Sequence, residues 1–239
     1  MRLLYQRAAA LHAAFKPQEV AALLWSEATL FRRMDGRMVT SDLPSLLLEH
    51  AVAQAPRLHA FEFSNILSAA AQLGLTPPPP SAAALLARCE QVADDLTPQA
   101  LTNVLAALAK LSARGVLVLP ARLEQCLVAR IRALLDDSCP HRGFSSRGVA
   151  RSLLAVGELQ LDAGGEQHVA AGLLERYLLL VTSSPAAGRV AAHGDDGAPR
   201  RHGAVGQELL TDTAELLQGL ARNARALGLP VEEAAARGV

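Results

Sequence analysis

Leu96-Thr97-Pro98-Gln99-Ala100-Leu101-Thr102-Asn103-Val104-Leu105-Ala106-Ala107-Leu108-Ala109-Lys110-Leu111 is the stretch that decides the fold. It reads as one capped amphipathic helix. The Thr97 hydroxyl can accept from the first free backbone N–H groups, and Pro98 suits the first helical position because it has no N–H to leave unpaired. Leu101, Val104, Leu105, Leu108 and Leu111 then fall at helical spacing on one face.

Copies of this stretch recur along the chain. Phe15 to Trp25 places Pro17 on Pro98, Gln18 on Gln99, and Val20, Leu23 and Leu24 on Leu101, Val104 and Leu105. Leu58 to Leu75 places Phe63, Ile66 and Leu67 on the same core positions and Asn65 on Asn103. Phe144 to Leu154 is a further copy, and a looser one carries Leu217, Leu220, Ala224 and Leu227-Gly228-Leu229. Leu58 and Leu96 stand 38 residues apart, and the other spacings of 43 and 48 read as insertions between helices. Ala28, Ala71, Ala109 and Gly157 coincide as a small-residue position, as close helix–helix packing requires. A period in this range predicts helix pairs that bury their faces on neighbouring pairs.

The second helices fall between the copies: Pro44 to Gln54 behind Ser41 or Asp42, Ser81 to Asp95 behind the prolines 77–80, Pro120 to Asp136, and Gly165 to Thr182. Leu4, Arg7, Leu11 and Phe15 match Leu85, Arg88, Val92 and Leu96, so residues 3–14 read as a second helix whose own first helix is missing. The two arginines before the first acid, Glu19, resemble an organellar presequence only faintly, and the repeat register accounts for them. Val231 to Ala236 begins another second helix, so the expectation is an excerpt of a longer array. The domain reading is a helical-repeat array over 1–182, a flexible Gly- and Pro-rich insertion over 183–206, and a degenerate, truncated last repeat over 207–239.

Composition agrees with an all-α chain. Of 239 residues 51% are hydrophobic, mostly Ala and Leu, and only 3% are aromatic, with no strand-like alternation. Lys plus Arg and Asp plus Glu both count 23, so no global charge draws in nucleic acid or an acidic membrane. No apolar run is long enough to span a bilayer. Cys89, Cys126 and Cys139 stand far apart and suggest no disulfide framework.

The Phe/Leu-x-Pro-Gln-x-Leu-x-Asn-x-Leu-x-x-Leu-x-x-Leu pattern resembles the octotricopeptide-repeat family. Leu96 to Leu111, Leu58 to Leu75 and Phe15 to Leu24 carry it best, and Trp25 falls where that family often has Trp after a Leu-Leu pair. The resemblance covers most of residues 1–182. It implies a right-handed α-solenoid, location in a chloroplast or mitochondrion, and binding of single-stranded organellar RNA in transcript stability, processing, splicing or translation.

A concave face lined by the first helices would carry a polar stripe opposite the core: Gln18, then Asn65, Ser68 and Gln72, then Gln99, Asn103 and Lys110, then Arg147 and Arg151. Amides offer a donor and an acceptor to a base edge, and Arg can stack or hold phosphate. Phe61 and Leu154 on the same stripe favour protein contacts instead, so a scaffold or structural subunit of an organellar ribonucleoprotein particle stays open. Cys139-Pro140-His141 lacks a second ligand pair, the remaining histidines are scattered, and the acid pairs sit at helix ends or in the insertion. No nucleophile elbow, phosphate loop or dinucleotide fingerprint occurs. The expectation is a non-enzyme with no catalytic residue, metal, cofactor or small-molecule substrate.

Overall fold

The computed structural model describes residues 2–34, 41–136, 143–161, 169–182 and 214–223. These form helices α1 (Arg2–Leu11), α2 (Pro17–Arg33), α3 (Leu43–Ala53), α4 (Ala60–Leu73), α5 (Pro79–Val92), α6 (Pro98–Ala113), α7 (Ala121–Asp136), α8 (Ser146–Leu159) and α9 (Val169–Thr182), then α10 over residues 214–222. Among the described residues there is no strand, and the chain is all-α as its composition requires. The first helices of the repeats are α2, α4, α6, α8 and α10; the second helices are α1, α3, α5, α7 and α9. The expected insertion over 183–206, the end of the last repeat and Cys139-Pro140-His141 lie outside the described residues.

The chain divides into two compact units, 1–130 and 131–239, with the boundary inside α7. In the first unit α4 packs between α2 and α6, α3 packs on α2, and α1 packs on α3. The core follows the repeat register. Val20, Phe63 and Leu101 are fully buried, as are Leu24, Leu67 and Leu105 one turn later, and the small residues Ala28, Ala71 and Ala109 are buried with them. In the second unit α8 packs on α9, with Val149 and Leu153 fully buried. There α10 approaches α8 so closely that a Cβ on Gly219 would stand 2.9 Å from the Leu154 amide nitrogen. Asn223 closes that contact by donating to the Leu153 carbonyl at 2.8 Å.

Local chemistry sets the helix ends. Thr97 Oγ1 accepts from the Ala100 amide at 3.2 Å and Ser145 Oγ from Gly148 at 3.1 Å, so α6 and α8 carry side-chain N-caps. Glu19 in α2 instead accepts from the Lys16 amide at 2.8 Å. Ser41 Oγ accepts from Leu43 at 3.1 Å, so α3 begins one residue before the expected Pro44. Likewise α5 begins at Pro79 rather than Ser81, because the first helical turn has free N–H positions that prolines can occupy. Helices α4, α6 and α8 stop alike: Gly74, Gly115 and Gln160 adopt left-handed backbone (φ 72°, 68° and 56°). The next amide then reaches back to Ala70, Leu111 or Val156.

The second helices α1, α3 and α5 run into short 3-10 turns, His12–Ala14, Ala55–Arg57 and Ala93–Asp95. Two extended residues follow each turn before the next first helix starts, and the first of the two is Phe15, Leu58 or Leu96. The sequence reading placed these three residues at equivalent positions, and the backbone treats them alike.

Candidate nucleic-acid interface

Helices α2, α4 and α6 lie side by side in that order, and the repeat register of the sequence sorts their stripe residues into rows. One row is Gln18, Phe61 and Gln99; the next is Ala22, Asn65 and Asn103. Then come Trp25, Ser68 and Ala106, and last Thr29, Gln72 and Lys110. Gln18, Gln99 and Lys110 are exposed, and Asn65, Gln72 and Asn103 are half-buried. The amides partly satisfy one another: Gln99 Nε2 donates to Asn103 Oδ1 at 3.2 Å, and Gln72 Nε2 donates to Ser68 Oγ at 3.0 Å.

Ser68 does not stand open as the stripe reading placed it. It is only 6% exposed, because α4 is flanked on both sides and its middle turn is the most enclosed part of the layer. Aromatic surface is open nearby: Phe61 is 70% exposed and Trp25 38%. Arg147 and Arg151 belong to α8 in the second unit, one turn apart; Arg147 is exposed and Arg151 half-buried.

The structure adds a recurring contact that the stripe reading missed. Arg88 of α5 donates through Nε at 2.9 Å, and through Nη2, to the Leu58 carbonyl. Arg130 of α7 does the same to Leu96, at 2.8 and 2.6 Å. From α3 and the residue that caps its end, His50 Nε2 donates at 2.9 Å and Gln54 Nε2 at 3.1 Å, both to the Phe15 carbonyl. Each second helix in this unit that follows its own first helix thus ties down the extended residue where that first helix begins. A signal existed in the sequence: Leu85-x-x-Arg88, Leu127-x-x-Arg130 and Leu173-x-x-Arg176 share one spacing. In the fourth copy Arg176 lies against Gly143, but its Nε and Nη2 are buried without a partner.

Other chemistry on the described residues is sparse. Burial first, then the charge of neighbouring Cys126, pushes the Cys89 thiol up to about 12. The Tyr5 phenol, donating to Glu27 Oε2 at 2.9 Å, is pushed up to about 12 by burial first and then by that bond and charge. A cavity of about 350 Å³ beside Arg132, Asp136, Glu175 and Arg176 is lined by two charges of each sign. Among the described residues no three His, Cys, Asp or Glu side chains cluster as a metal site, and no helix is long and apolar enough to cross a membrane.

No protein-family model matches the chain, and no curated protein is significantly similar to it.

Proposed function

We propose that this chain is a helical-repeat RNA-binding protein, a right-handed solenoid of helix hairpins that holds a single-stranded segment of an organellar transcript and performs no chemistry on it. The observation that supports the reading is the open aromatic face of Phe61, which shares a row with Gln18 and Gln99, together with that of Trp25 and the amides of Asn65 and Asn103 elsewhere on the stripe. Unstacked bases pack on aromatic faces, while amides read base edges, and proteins that read one base per repeat use arrays of this kind. Lys110 at the end of the last row adds a phosphate contact. The sequence resemblance supports a chloroplast or mitochondrial target.

The same exposed aromatics favour a second reading, a protein-interaction scaffold. The even charge balance leaves little counterion-release drive for nucleic acid. Selection from a random single-stranded RNA pool at near-physiological salt separates the two, run beside a variant carrying Trp25→Ala, Phe61→Ala, Asn65→Ala and Asn103→Ala. Enrichment of defined sequences that the variant loses supports RNA reading by these rows. A folded, helical chain that enriches nothing overturns it and leaves the scaffold.

A further inference from the structure

In α5 and α7 the arginine of the Leu-x-x-Arg pattern turns one edge of its guanidinium, Nε and Nη2, onto a main-chain carbonyl. Arg176 of α9 stands at the matching position, and the matching acceptor is the carbonyl of Phe144. That bond is not made. Nε and Nη2 of Arg176 are buried and have no hydrogen-bond partner among the described residues. The local cause is Gly143, which stands where Arg57 and Asp95 precede the extended residues of two earlier copies. A Cβ on Gly143 would lie 2.5 Å from Nη2 of Arg176, so the guanidinium occupies space that a side chain would fill.

Arg176 also lines the cavity of about 350 Å³ between α7 and α9, whose described lining residues all lie in the second unit. The two helices meet tightly at Gly172, where a Cβ would stand 3.0 Å from Leu135 Cδ1. Leu135, Val169 and Leu179 supply apolar wall, and Arg132, Asp136 and Glu175 supply the other charges. A buried guanidinium edge without an acceptor is costly, and its two parallel N–H groups match a planar pair of oxygens. Asp136 and Glu175 in the same wall repel a doubly charged phosphate more than a singly charged carboxylate. The leucines and the valine favour a ligand with an aliphatic body over a bare ion.

We propose that this cavity binds a small aliphatic carboxylate. Its two oxygens accept from Nε and Nη2 of Arg176, and its hydrocarbon lies against Leu135, Val169 and Leu179. The carboxylate belongs either to a plain carboxylic acid or to a free α-amino acid, whose ammonium Asp136 and Glu175 would offset. None of these residues belongs to the rows on α2, α4 and α6, so the site stands or falls apart from the RNA reading.

The probes are 4-methylpentanoate and leucine, which share a carbon skeleton and differ in the ammonium, titrated calorimetrically onto the full chain beside inorganic phosphate. At least one of the two carboxylates should bind saturably and more tightly than phosphate. Arg176→Met should weaken that binding about tenfold or more, and so should Arg176→Lys, which keeps the charge and loses the fork. Tighter binding of leucine assigns the site to amino acids, and tighter binding of 4-methylpentanoate to plain acids. Without ligand, Arg176→Met should leave helical content and the unfolding midpoint unchanged or raise the midpoint, because the edge it removes makes no bond within the fold. Arg88→Met, which breaks such a bond, should lower it. Failure of both carboxylates to bind, a preference for phosphate, or binding indifferent to the two Arg176 substitutions overturns the proposal. A lowered midpoint for ligand-free Arg176→Met also overturns it, since the guanidinium would then be tied to the chain itself.

Discussion

A carbonyl that belongs to no helical ladder and is partly shielded from water gains from another donor, and the chain supplies one for Phe15, Leu58 and Leu96 with a side chain from the second helix. Two N–H groups of one guanidinium on a single carbonyl make a charge-assisted contact, stronger than a neutral hydrogen bond. Arg88→Met should therefore lower stability by about 1.5–3 kcal/mol in chemical denaturation. Arg122→Met is the control. Its ion pair with Glu90, at 2.5 Å, is solvent-exposed on the arginine side, and the loss should stay below about 1 kcal/mol. Cys89 makes a second prediction. In the unfolded chain its thiol ionises near 9, whereas in the fold it stays protonated to about 12. The folded state is thus favoured fully below pH 9, and the advantage is lost as pH rises from 9 towards 12. The expected slope is about 1.4 kcal/mol per pH unit from this group. Denaturation between pH 8 and 11 should show the decline, and Cys89→Ala should flatten it at the cost of a lower starting stability. At this scale the buried positions were legible, because Val20, Phe63 and Leu101 follow a helical period. The Arg88 contact was not read, because the repeated Leu-x-x-Arg spacing marks the donor but does not show that it reaches a backbone carbonyl 30 residues away.

At the scale of the element, starts and stops were legible wherever a single residue determines them. Thr97 and Pro98 announce α6, and removing the cap with Thr97→Ala should cost about 1 kcal/mol, measured by the shift in denaturation midpoint. The stop of α8 is less comfortable than those of α4 and α6, because Gln160 takes the left-handed backbone that Gly74 and Gly115 take freely. Gln160→Gly should raise stability by about 0.5–1 kcal/mol, whereas Gly74→Ala should lower it. Elements bounded by several weak signals were read less well. Prolines 77–80 suggested a break before α5, and two of them turned out to be its first turn. The polar stripe shows the same limit. A projection of α4 alone cannot reveal that α2 and α6 enclose its middle turn, so Ser68 was placed on an open face it does not have.

For the whole molecule, the repeat made the fold class legible, and the division within α7 was not, since that helix reads as one unbroken amphipathic segment. Helices in the first unit touch mainly their neighbours in the repeat order, so stability should be distributed rather than pooled. Native-state hydrogen exchange should therefore be graded. Amides of α4, which packs between two first helices, should be the most protected, those of α6 next, and those of α1, with its exposed Leu3 and Leu4, the least. Uniform protection across all three would mean that the unit opens only as a whole.

The acceptor in each arginine contact is main chain, and this leaves the chain unusual freedom to change. A bond to a carbonyl does not depend on which side chain the first helix carries there, provided an apolar residue fills the space. Whatever amides, aromatics or charges decorate a first helix can thus be exchanged without losing the alignment of its hairpin. Surfaces can diversify from one hairpin to the next while one side chain of the following helix, His50, Arg88 or Arg130, keeps these three hairpins in step.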